Sequence, residues 1–194
     1  MMKKRNIGIL IFDNAEVLDF AGPFEVFSVT SELNNFVPFE VFTVGENLEP
    51  VIAVNGLSVN PKYDFNTCPT IDILIIAGGS GSRKLMENRK VLNWLNQVSK
   101  KTELILSICS GARLLGKLGL LDHKPYCTHH QVYDDLERLV PTGKPQHRKR
   151  FVNSGNIYTS GGISAGIDLS FHIVEKLLGK KTAEQTAEYM EYDR

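Results

Sequence analysis

Apolar residues along the chain gather into short β-branched runs that alternate with longer segments of helical period. The runs predict strands at Ile7–Phe12, Phe39–Val44, Ile71–Ala77, Leu104–Ile108 and Ile157–Ser160. Helical spacing predicts helices over Pro23–Glu32, Val91–Lys100, Gly111–Leu118, Gln131–Leu139, Ser164–Leu178 and Ala183–Met190. Strand and helix in alternation are the pattern of an α/β fold with a mainly parallel sheet. "IDILIIA" and "ELILSI" are apolar throughout, as strands covered on both faces should be. In "VIAVNGLSVN" Asn55-Gly56 separates two alternating runs and predicts a hairpin, an antiparallel excursion on an otherwise parallel sheet. Gly119 and Gly179 fall just past two helices, where a left-handed cap favours glycine.

With 194 residues and no repeat, low-complexity tract or linker, the chain is expected to form one domain, 1–194. Its 42% hydrophobic and 23% charged residues are those of a globular protein. Lys+Arg and Asp+Glu both number 22, so net charge makes no case for nucleic acid or an anionic membrane, and neither partner is expected. The one basic cluster, "KPQHRKR", reads as a solvated loop. The apolar run after "MMKKR" is too short for a secretory core, and no segment approaches a membrane span. Cys68, Cys109 and Cys127 form neither a C-x-x-C pair nor an even set, which suits a reduced, cytoplasmic protein with one reactive thiol.

Ligands of an open parallel sheet bind beyond the carboxyl ends of its strands. Four turns should lie on that edge: the segment around Asp19, "AGGSGS", "CSGA" and "GGISAG". Cys109 ends a strand and opens a helix, a setting in which amides and the helix dipole favour thiolate. Gly162-Ile163-Ser164-Ala165-Gly166 fits the G-x-S-x-G signature of serine hydrolases. Only 30 residues follow Ser164, however, and the sole later histidine, His172, stands on the same helix. Ser164 is therefore expected to be a helix N-cap in a glycine-rich start that helps shape the Cys109 pocket. "AGGSGS" lacks dinucleotide-loop spacing, but its amides could face a developing anion, with Gly79 the oxyanion candidate. Asp19 either caps the helix ahead of Pro23 or places a carboxyl near the thiol for proton transfer. His129 and His130 are possible bases, and no ligand spacing supports a metal.

Together "LDFAGPFEVF", "IAGGSGSRKLM", "SICSGARLLGKLGLLDHKPYCTHH", "TSGGISAGIDLSFHIVEKLLG" and "MEYDR" resemble the DJ-1/PfpI (ThiJ) superfamily, and within it the isonitrile hydratase-like branch. The resemblance runs from Ile7 nearly to the end. It implies a flavodoxin-like three-layer sandwich of the class I glutamine amidotransferase-like type, usually a homodimer, with Cys109 as elbow nucleophile. It also implies that Asp19 is the active-site carboxylate, that Gly79 and Ser110 lie beside the nucleophile, and that His129 matches the family's histidine segment. The implied reaction adds water to an isocyanide carbon to give an N-substituted formamide, with no metal or organic cofactor. The protease branch has histidine directly after the cysteine, where this chain has Ser110, so peptidase activity is not expected. Glyoxalase or deglycase activity on 2-oxoaldehydes is an alternative, as is a non-enzymatic sensor built on Cys109. Similar domains are fused to DNA-binding helices, but this chain stops at Arg194, so direct transcriptional control is not expected.

Overall fold

The structure is a computed structural model and describes residues 3–194. Strands β1 (Arg5–Leu10), β2 (Phe39–Gly45), β3 (Val51–Ile52), β4 (Ser58–Val59), β5 (Tyr63–Asp64), β6 (Ile73–Ile76), β7 (Leu104–Ser107), β8 (Pro125–Tyr126), β9 (Lys144–Pro145), β10 (Phe151–Ser154) and β11 (Ile157–Ser160) alternate with seven helices. These are α1 (Val17–Leu33), α2 (Ser82–Leu85), α3 (Arg89–Ser99), α4 (Ala112–Lys117), α5 (Tyr133–Leu139), α6 (Ala165–Leu178) and α7 (Lys180–Tyr189). Seven strands form the main sheet in the order β10-β11-β7-β6-β1-β2-β5. Every neighbouring pair is parallel except β10 with β11. β6, β7 and β11 are buried along their whole lengths, as the apolar runs of β6 and β7 anticipate, and β11 buries Thr159 and Ser160 as well. Helices α1, α6 and α7 pack as one group and α2, α4 and α5 as another.

The α/β architecture and all five predicted strands are present, with ends shifted by a few residues. Asn55 and Gly56 have φ of 65° and 90° and turn the chain between β3 and β4 as the hairpin requires. That hairpin forms its own two-stranded sheet, whereas the antiparallel strand on the main sheet is the edge strand β10. The first helix begins at Val17, six residues before the predicted start at Pro23. Proline at that position suggests a helix start. It stands instead in the helix interior, where the Asp19 carbonyl loses its usual amide donor. Packing holds the helix through the break: Pro23 and Gly22 are buried, and a Cβ on Gly22 would come 2.8 Å from Ile167 Cγ1 of α6.

Register explains where a site can form. Leu10 pairs with Ile76 and Ile76 with Ser107, so β1, β6 and β7 end flush and their following loops share one edge. The chain leaves β1 toward β2 and β5, then returns to build β6 and β7 on the other side. The β1/β6 boundary is therefore the topological switch point of the sheet. Gly111 makes the close approach there possible, because a Cβ would lie 2.5 Å from the Ile76 carbonyl oxygen and 2.9 Å from that of Ala77. Its φ is −58°, which alanine accepts, so the obstacle is steric alone. Gly111→Ala is expected to destabilise the fold by about 1–3 kcal/mol, a fall in Tm of roughly 2–10 °C. An unchanged thermal melt would show that the strand ends can yield.

Candidate active site

Cys109 occupies a sharp turn between β7 and α4, with φ of 96°, a conformation that costs a non-glycine residue about 1–3 kcal/mol. Its carbonyl is pinned from one side, accepting the Thr128 hydroxyl and, at 3.3 Å, the His129 amide. The Ile108 amide donates to Ile76 O at 3.0 Å, and the Gly111 amide closes the turn on Ile108 O at 2.9 Å. The strand end and the helix start thus fix the backbone on both sides of the thiol.

Asp19 lies in the first turn of α1 but does not cap it: the N-cap is Glu16, without a side-chain cap bond. The carboxyl is wholly buried, and Oδ2 accepts the Gly78 amide at 2.8 Å. Oδ1 has no hydrogen-bond partner among the described residues. Burial pushes the Asp19 carboxyl up to about 7, against opposing pulls from the Gly78 amide and the neighbouring Cys109 thiol. Burial, then the charge of Asp19, pushes the Cys109 thiol up to about 12, while the Ile163 and Ser110 amides pull the other way. A depressed thiol does not result, because Cys109 is only 5% exposed and faces a carboxyl. Near neutral pH the pair holds a thiol next to a half-ionised acid.

Ser110 and Gly79 are bonded to each other. The Gly79 amide donates to Ser110 Oγ at 2.8 Å, and the Ser110 hydroxyl donates to Gly79 O at 2.9 Å. The amide considered for an oxyanion is thus engaged in locking the β6 and β7 loops together. Gly79 has φ of 116°, and its Cα faces Asn14 O so closely that a Cβ would stand 2.2 Å away. His129 borders the same cleft, its Nδ1 accepting the Gln131 amide at 3.3 Å. Partial burial, then His130, holds His129 below the ordinary histidine range. His130 is exposed and is not part of the cleft wall, so His129 is the histidine brought to the site.

Ser164 is exposed, and its Oγ accepts Arg150 Nη2 at 3.3 Å. It holds the N-cap place of α6 in helical conformation and makes no side-chain cap bond, so the expected capping bond is absent. Its neighbour Ile163 does reach the site, with φ of 48°, lining the cleft with its amide close enough to Cys109 and Asp19 to favour their charged forms. The preceding Gly161-Gly162 pair was the available signal for this turn. Gly162 also admits the His129 ring, since a Cβ would be 2.1 Å from Cδ2. Arg83 and Arg113 complete a cleft of ≈ 450 Å³ over Cys109, and sequence spacing did not single out either. Cys127 donates to Thr159 O at 3.0 Å inside the core, and Cys68 lies in another loop. Among the described residues no cluster of His, Cys, Asp and Glu is arranged to hold a metal, and no helix is long and apolar enough to cross a membrane.

Comparison with known proteins matches the DJ-1/PfpI family over residues 5–176. Isonitrile hydratase of Pseudomonas putida is 33% identical over 187 residues, covering 96% of this chain and 78% of that protein. The HTH-type transcriptional regulator GbdR of Pseudomonas aeruginosa is 23% identical over 190 residues, 98% of this chain. The chain spans 51% of that regulator's length. A ThiJ/PfpI family protein from Pseudomonas syringae superposes with a TM-score of 0.89 at 27% identity, over 100% of this chain and 77% of that one. With the match spanning the sheet, the elbow and the carboxyl-bearing helix, the chain belongs to the DJ-1/PfpI family.

Proposed function

We propose that the protein is a cysteine-dependent hydratase that adds water to an isocyanide carbon and releases an N-substituted formamide. The observation that carries this reading is the buried Cys109 and Asp19 pair, in which a nucleophile and a proton carrier lie side by side. Similarity to isonitrile hydratase supports the choice of substrate.

In the proposed reaction Cys109 passes its proton to Asp19 as Sγ bonds to the isocyanide carbon. Asp19 then delivers that proton to the same carbon, giving a thioimidate. Water adds across the C=N bond, one proton reaching nitrogen through Asp19. The C–S bond breaks with its electron pair returning to sulfur, which regains a proton from the hydroxyl as the carbonyl forms. The sum is isocyanide plus water to formamide. The Ile163 and Ser110 amides stabilise negative charge on sulfur at attack and departure.

The active form carries one proton on the pair, so kcat/KM on an aliphatic isocyanide is expected to rise with pH through about 7. Cys109→Ser should reduce turnover to background, and Asp19→Asn should lower kcat/KM by roughly 10²–10⁴-fold and erase the rise near 7. Formamide production by Cys109→Ser at the wild-type rate would sink the reading.

The same carboxyl makes a stability prediction. Its folded value, raised from 3.8 to about 7, means that the folded chain binds more protons than the unfolded chain between those values. Stability therefore falls as pH rises through that window. Asp19→Asn removes the penalty, so its Tm relative to wild type should be higher at pH 8 than at pH 4, by an amount on the order of 3 kcal/mol in stability. Thermal melts of both proteins across that range check this, and parallel curves would refute it.

A further inference from the structure

The cleft over Cys109 shares Arg83 and Arg113 with an adjoining hollow that also contains Asp135 and Arg138. Three guanidinium groups converge on a single carboxylate there. Arg83 and Arg113 donate to Asp135 Oδ2 at 2.5 and 2.7 Å, and Arg138 donates to Oδ1 at 2.8 Å. One negative charge opposes three positive charges. Arg113 is 4% exposed, its remaining bond goes to Ser82 Oγ at 3.2 Å, and its Nε has no partner among the described residues. A buried guanidinium that shares its only carboxylate with two others is undercompensated. Arg83 and Arg138 are both exposed, and of the two Arg83 is the one that also lines the cleft over Cys109, where it can turn toward a bound molecule. Glu16 is the only carboxylate among the residues that form the cleft wall, and it lies on the loop leading into α1.

We propose that this arginine cluster is an anion subsite, and that the substrate is a small molecule with its electrophilic carbon at Cys109 and a carboxylate or similar anion at Arg83 and Arg113. Planar guanidinium forks suit such a group, and the cleft wall joins it directly to the thiol. The inference rests on Cys109 being the nucleophile and narrows what that nucleophile acts on.

A test that does not depend on isocyanide turnover compares addition to Cys109 of neutral N-ethylmaleimide with that of anionic N-(2-carboxyethyl)maleimide. In both, the thiol gives up its proton to water or Asp19, Sγ bonds to one alkene carbon as the π bond opens, and the adjacent carbon takes a proton from water, so that the sum is addition of S–H across the alkene. Rates at Cys109 are read by peptide mapping, in the folded protein and in urea. The ratio of anionic to neutral rate should be roughly tenfold higher in the folded protein than in urea, and Arg83→Ala should remove most of that excess. Arg83→Glu should lower the ratio further. An equal ratio in the folded and unfolded states, unmoved by Arg83→Ala, overturns the subsite alone. Absence of labelling at Cys109 by either reagent in the folded protein overturns the nucleophile and the subsite with it.

Discussion

A carboxyl group with no solvent exposure, set against a thiol, is the constraint around which the carboxyl edge of the sheet is built. Asp19 reaches the elbow because α1 starts early and carries it in its first turn. It can approach only because position 78 is glycine, since a Cβ there would lie 2.7 Å from Oδ2, from Ile108 O and from the Ser110 amide nitrogen. The left-handed backbone of Cys109 then turns the thiol toward the carboxyl, and two donors on its carbonyl hold that strained conformation in place. Each of these features would cost stability alone. They occur together where the flush ends of β1, β6 and β7 bring the three following loops to one edge.

The state of the thiol shows which electrostatic effect wins. A helix N-terminus is worth about 0.3–1 kcal/mol to an anion near the surface. Moving the thiol from 9.0 to about 12 corresponds to roughly 4 kcal/mol in the other direction. Removal from water and a neighbouring carboxyl therefore outweigh a helix of only six residues. In the proposed reaction the thiol therefore depends on a proton acceptor already in place rather than on a standing thiolate.

Much of the fold was legible because periodicity and burial are local signals. The runs that became β6 and β7 are apolar on both faces, and Asn55-Gly56 turns as its residue types require. The elbow was legible too, through strand, cysteine and nearby glycine. What escaped was set by tertiary packing. Pro23 pointed to a helix start, yet contact between Gly22 and Ile167 carries the helix back to Val17. The thiol's protonation depends on Asp19, which is ninety positions away in sequence and adjacent only after folding. Asp135 lies between arginines from three helices, and although helical spacing pairs it with Arg138, no spacing rule brings in positions 83 and 113. In "GISAG" the serine caught the eye, but the backbone amide beside it is the group turned to the site.

The polar side-chain atoms left without a partner in the buried interior belong to Asp19, Ser107, Arg113 and Tyr126 among the described residues. Three of them neighbour in sequence the elbow or a group that holds it, since Ser107 and Arg113 flank Cys109 and Tyr126 stands two residues before Thr128, while Asp19 reaches the elbow through the fold. A core selected for stability alone would place apolar groups at such positions, since an unsatisfied buried polar atom costs about 1–3 kcal/mol. Asp19, Ser107 and Arg113 gather around Cys109 at the carboxyl edge, while the sheet beneath packs into one hydrophobic core, which separates the two tasks of the sequence. The sheet supplies the stability, and its carboxyl edge spends part of it on chemistry.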